Sequence, residues 1–169
     1  FSLGLAFDDV MAGYVDNFAS AVGTLAVDLG SDEILRAIQY LDDANAPQDE
    51  RYMVVSPAQS IAFVKLDIFV HADYSRLQGS VTGKPGLEKA YTTSFLDIPI
   101  FKSTNVEGTN SAGHDNGLFH RESVTAIMQM MPTPHSMFDI DYLADKVVIE
   151  QVHGSTEQRD DHGVFMRGS

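Results

Sequence analysis

Ala144-Asp-Lys-Val-Val-Ile-Glu-Gln-Val-His-Gly154, running on into Asp161-His-Gly-Val-Phe-Met166, closes the chain with two β-branched apolar runs and a polar turn between them. Lys146 to Val152 and Gly163 to Met166 read as the two arms of an antiparallel pair. Three further pieces precede this hairpin in a fixed order. They are Arg51-Tyr-Met-Val-Val-Ser-Pro57, a strand turning into a helix; Phe95-Leu-Asp-Ile-Pro-Ile-Phe-Lys-Ser-Thr-Asn-Val106, a strand; and Gly117-Leu-Phe-His-Arg-Glu-Ser-Val-Thr-Ala-Ile127, a loop leading into a strand. None of the four carries a nucleophile with its base, a metal-ligand spacing or a phosphate loop. Their order and spacing are those of elements that pack together and build surfaces.

Outward from these pieces, the pattern gives an α+β chain. Apolar residues at Val10, Met11, Tyr14, Val15, Phe18, Val22, Leu25 and Leu29 predict a long amphipathic helix over about Asp8 to Leu29, with Gly30 as its stop. A second helix is expected at about Asp32 to Asp43, burying Ile34, Leu35, Ile38 and Leu41. Asn45 to Glu50 reads as a polar turn. Arg51 to Val55 is a strand, and Ser56-Pro57 caps and opens a helix running to about Phe69. His71 to Lys89 is a long glycine-containing loop. Tyr91 to Phe95 and Ile98 to Thr104 read as strands, with a bend or edge position marked by Pro99. Glu107 to Asn116 is a second polar loop. Val124 to Met131 is expected to be a buried strand, its methionines filling core and Pro132 and Pro134 ending it. Asp139 to Asp145 reads as a helical turn.

Composition narrows the function classes. The 169 residues include 44% apolar and 21% charged side chains, so one sizeable core is within reach. The absence of cysteine excludes disulfides, thiolate catalysis and Cys-ligated zinc. No run approaches the ~18 uncharged apolar residues of a membrane span, and the first residues lack the basic region of a signal peptide. With 24 acidic and 11 basic side chains the formal net charge is −13, which repels phosphate backbones. Such a balance suits solubility, and equally a container wall that must not adhere to the DNA inside it.

Four groups of residues invite a chemical reading. Gly79-Ser-Val-Thr-Gly-Lys84-Pro85 has three residues between its glycines and a proline after the lysine, which the phosphate-loop motif does not allow. Among six histidines, His114 and His120 flank a glycine loop, while His153 and His162 bracket Glu157, Asp160 and Asp161. Such a group binds zinc or iron only if folding joins its ends. Ser155 or Ser123 as a nucleophile lacks the elbow motif and an oriented base. Met128, Met130 and Met131 can make an adaptable binding surface, although core filling is the plainer reading.

Taken together, the Arg51 to Pro57 turn, the Asp97-Ile-Pro-Ile-Phe-Lys-Ser-Thr-Asn-Val106 strand, the Phe119-His-Arg-Glu-Ser-Val124 segment and the closing hairpin resemble the major capsid protein of tailed double-stranded DNA bacteriophages, nearest the short-tailed type. That resemblance implies the tailed-phage capsid fold. Residues 1-31 would form a peripheral domain with its spine helix, 32-137 an axial domain with a mixed sheet flanked by helices, and 138-169 the return strands. It implies a virion subunit that self-assembles into hexamers and pentamers of an icosahedral head, assembled in the host cytoplasm. Scaffolding and portal proteins are the implied partners, with packaged DNA contacted weakly and without sequence preference, and no membrane. No catalytic, cofactor-binding or metal residue is implied. The family's N-terminal arm and extended hairpin loop have no counterpart here, so the chain is expected to be part of a longer protein. An encapsulin-like cellular shell protein and a small soluble enzyme using the His153 to His162 region are the alternatives.

Overall fold

The computed structural model describes residues 2-66, 91-109 and 112-168. Its elements run α1 (Ser2–Ala12), β1 (Ser20–Gly23), α2 (Ser31–Asp43), β2 (Arg51–Val55), α3 (Pro57–Val64), β3 (Tyr91–Phe95), β4 (Ile98–Lys102), β5 (Gly108–Thr109), β6 (Gly113–His120), β7 (Val124–Asp139), β8 (Ala144–Glu157) and β9 (Gly163–Gly168), with single 3₁₀ turns at Val15–Asn17 and Asp160–His162. A mixed sheet takes the order β1-β9-β6-β2-β4-β3, with β5 added to β6. β7 and β8 pair only with each other. The fold is α+β, and no helix among the described residues is long and apolar enough to cross a membrane.

β2 lies inside the sheet, parallel to β4 and antiparallel to β6. Its alternate residues Arg51, Met53 and Val55 are buried. On that face α2 contributes Ile34, Ala37 and Leu41, which recur at helical spacing and meet Ile100, Leu118, Val164 and Met166 in one core. Arg51 is only 4% exposed, and its guanidinium is hydrogen-bonded through Nε and Nη2. It donates to Asp42 Oδ1 at 2.7 Å, Ala46 O at 2.7 Å and Pro47 O at 2.8 Å, and so fastens the turn after α2. The buried guanidinium is met by two backbone carbonyls and by the Asp42 carboxylate, which itself stays 47% exposed, and these acceptors offset the desolvation cost.

Two buried amides tie the helices to the sheet. Ser56 caps α3 by accepting the Gln59 N–H at 3.0 Å, with Pro57 in the first helical position. Gln59 then accepts the Leu29 N–H at 3.0 Å and donates to Leu29 O at 3.3 Å, so one side chain satisfies a whole backbone unit entering α2. Asn116, on β6, accepts the Ser56 N–H at 2.7 Å. Arg51–Val55, the Ser56-Pro57 helix start and Tyr91–Phe95 stand where the pattern put them; Ser31–Asp43 starts one residue before the expected Asp32, and Ile98–Lys102 stops two residues short of the expected Thr104. Leu96 and Asp97, both at positive φ, make the tight β3-β4 turn.

Several expectations are corrected. The long helix over Asp8 to Leu29 is instead α1, ending at Ala12 before Gly13, then a 3₁₀ turn and β1. Phe18, Val22 and Leu29 are buried, but by another route, while Val10 and Leu25 stay exposed: Val22 pairs with Met166 across β1-β9, and Phe18 stacks near Phe119 with ring centroids 6.2 Å apart. Gly30 precedes α2 as its N-cap, not as a stop. Leu35 faces outward. α3 ends at Val64, with Lys65 at its C-cap. Within Glu107 to Asn116, expected as a loop, Gly108 and Thr109 of β5 pair with His114 and Gly113 of β6, and Gly108 and Gly113 stand at positive φ. Gly163 to Met166 pairs with β6 and β1, not with Lys146 to Val152. The His71 to Lys89 loop, with its Gly79 to Pro85 motif, lies outside the described residues.

Candidate functional site

Among the described residues, the β7-β8 ribbon is the pair of strands that no third strand joins. Strands of 16 and 14 residues are nearly three times the usual length. Val124 to Met131 was expected to be buried and to stop at Pro132; it is exposed, and β7 continues through both prolines to Asp139. A two-stranded ribbon leaves one edge of each strand free, so a proline there forfeits little of the ladder. The ladder itself is irregular between Met128 and Thr133. Met128 and Met131 are exposed rather than core-filling. Residues 140-143, expected as a helical turn, form the hairpin turn at the tip, with Leu143 at positive φ.

Register sorts the ribbon into two faces, because directly opposed residues share a side. Phe138 opposes Asp145, Ser136 opposes Val147 and Pro134 opposes Ile149, which makes one face largely apolar. The other carries Met137 opposite Lys146, His135 opposite Val148 and Thr133 opposite Glu150. His135 and Glu150 on that second face meet at 2.9 Å. At the tip Ile140, Tyr142 and Leu143 are 77%, 82% and 79% exposed. An isolated two-stranded hairpin is marginal in water, and an apolar patch of this extent marks an interaction surface.

The ribbon's root is anchored. Tyr14 donates from its hydroxyl to Ser155 O at 2.8 Å, and Phe7 meets the His153 ring edge-on at 5.1 Å. Gln158 and Arg159 donate backbone N–H groups to Ser123 O at 2.8 and 3.2 Å. The root is thus held, while the side chains of Ile140, Tyr142 and Leu143 at the tip stay exposed.

The residues singled out for chemistry fall elsewhere. Ser155 Oγ lies 3.1 Å from the Tyr14 hydroxyl, and its neighbour His153 packs on Phe7, so no nucleophile–base pair forms there. Burial, then Asp160 and Asp16, raises the Glu157 carboxyl above its ordinary value. Arg159 pairs with Asp161 at 3.1 Å and holds that carboxyl below the usual range. His162 turns away from His153 and meets His120 instead, with ring centroids 5.8 Å apart. His114 lies at the opposite end of β6 from His120. Beside α1, a half-open cleft is lined by Met11, Val15, Phe119 and Asp115. Burial raises the Asp115 carboxyl, with Arg167 opposing and Asp16 adding to the effect. The ribbon escaped the sequence reading because its prolines looked like terminators; the β-branched run Val147-Val-Ile149, with Val152 beyond it, was the available signal.

No family model and no curated protein matches the sequence. Solved structures do. A chain from Mycobacterium phage Che8 is similar with a TM-score of 0.76 at 20% identity, covering 98% of this chain and 59% of that one. The capsid of Cyanophage P-SCSP1u gives 0.72 at 13% identity, covering 99% and 63%. The SrpI encapsulin from Synechococcus elongatus PCC 7942 gives 0.69 at 13% identity, covering 96% and 61%. The chain therefore has the fold of phage capsid and encapsulin subunits, and it spans about three fifths of the length of these chains.

Proposed function

We propose that this chain is the main body of a major capsid subunit, acting by tiling into the icosahedral head of a tailed bacteriophage and residing in the virion. The observation that carries this reading is a ribbon with an uncovered apolar face on a fold otherwise used by shell proteins. In a closed assembly, contacts between copies are the activity, spread over interfaces rather than gathered in a pocket. On this reading the subunit works as a structural element of the shell.

Sheet membership supports a division of labour. The mixed sheet with α2 and α3, including residues 20-23 and 163-168, serves as the axial body whose tips gather at five-fold and six-fold centres. α1 and the ribbon serve as the peripheral part that reaches the neighbouring copy. Hexamers and pentamers of the subunit, assembled in the host cytoplasm with scaffolding and portal proteins, then enclose the genome. The net charge of −13 leaves packaged DNA free to slide over the wall. A gel-shift titration of the purified chain at low salt tests that last point, and tight DNA binding rejects it.

The likeness to the SrpI encapsulin supports one alternative, a cellular shell that encloses enzymes. Recovering particles from cells that express the complete gene product, and identifying their contents, separates the two. Double-stranded DNA supports the phage reading; a protein cargo supports the encapsulin reading; the absence of particles at any concentration defeats both.

A further inference from the structure

We propose that His120, Glu122 and His162 form a binding site for a divalent metal ion of the zinc class, at the point where both strands of the ribbon leave the sheet. One ring nitrogen from each histidine and one carboxylate oxygen of Glu122 lie within 4.8 Å of one another. His120 ends β6, Glu122 sits in the turn before β7, and His162 closes the 3₁₀ turn before β9. Forty-two positions separate the two histidines, which is why no spacing rule finds the pair.

The second observation is His162 itself. Its side chain is 2% exposed, and neither ring nitrogen has a hydrogen-bond partner. A buried imidazole is ordinarily satisfied at one nitrogen at least, since desolvating both without compensation is unfavourable. A lone pair held in that state beside a second imidazole and a carboxylate is what a metal ligand requires. Two histidines and one glutamate are a donor set that zinc uses. Zinc bonds of about 2.0–2.2 Å place tetrahedral ligand atoms roughly 3.4 Å apart, so the group must contract slightly. Glu122 is exposed and free to swing inward. His120 Nδ1 accepts the Glu122 N–H over 3.2 Å, a long bond that a metal at that nitrogen displaces. A bound ion would pin the outgoing and returning strands of the ribbon together and fix the angle at which the arm leaves the body. The site rests on the geometry of this root alone and stands whether or not the chain forms a shell.

Calorimetric titration of the chain with Zn²⁺ tests it, alongside Co²⁺ loading read by visible ligand-field absorption. The expected result is one ion per chain. Glu122→Gln, at an exposed position, should weaken binding by about tenfold or more while leaving the metal-free melting temperature unchanged. His162→Gln should abolish binding, and His135→Ala, at the exposed ribbon histidine, should leave it intact. Should His162→Gln not fold, the Glu122→Gln titration decides. The proposal is overturned if the wild-type chain takes up no stoichiometric zinc, if Glu122→Gln binds with full affinity, or if His135→Ala removes the binding.

Discussion

Replacing Phe138, Val147 and Ile149 together by threonine should leave the free chain folded and cripple its association. All three lie on the apolar face of the ribbon and are between half and two thirds exposed. Full burial of such side chains contributes about 1.5–3 kcal/mol each, so each has roughly 1–2 kcal/mol still to gain from a neighbour. The three together amount to about 3–6 kcal/mol per contact, a weakening of roughly 10²- to 10⁴-fold in affinity. That figure is an upper estimate, because ordering the side chains at an interface opposes it. Threonine keeps the β-branched shape that suits a strand, so stability of the unassociated chain should change by no more than about 0.5 kcal/mol per site. Sedimentation velocity over a concentration series, with circular dichroism as the folding control, reads both quantities. Unchanged association in the triple variant would refute the assignment of this face as an interface. Unfolding of the variant would equally refute the premise that the face is uncovered in the single chain.

Three further expectations concern the body. Asn116→Ala strips the buried Ser56 N–H of its acceptor and should cost about 1–3 kcal/mol in chemical denaturation. Gly163→Ala should cost about 1–3 kcal/mol through overpacking, since a Cβ there would stand 2.4 Å from the Phe18 ring; repeating it in a Phe18→Ala background should recover most of that loss. Asp115→Asn carries a pH signature. Burial raises this carboxyl in the folded state, so ionisation costs stability increasingly as pH rises through the unfolded value of about 3.9. The variant should therefore melt higher than wild type at pH 7 and lose that advantage in acid, and a pH-independent difference would contradict the burial argument.

How much of this was legible from residues alone varies by element. α2, β2 and the start of α3 could be read because local rules and tertiary packing agree there. Ser56-Pro57 is a cap whatever surrounds it, and Ile34, Ala37 and Leu41 share one face on any helix. Phe18 and Val22 misled because a helical stripe and a turn followed by an edge strand can deliver the same side chains to a core. Only the partner strand distinguishes them, and β9 lies more than 130 positions downstream. Pro132 and Pro134 misled for a different reason. Proline ends a strand inside a sheet, whereas the ribbon is never inside one. The meeting of His120 with His162 depends on where β6 and the last 3₁₀ turn converge, which no spacing encodes.

Electron microscopy of the complete gene product, purified and concentrated, puts the central reading to its most direct trial. Closed particles of uniform size, with the ribbon of one subunit lying against its neighbour, are the expected outcome. A species that stays monomeric at every concentration, its Phe138 and Tyr142 still facing solvent, would contradict the account.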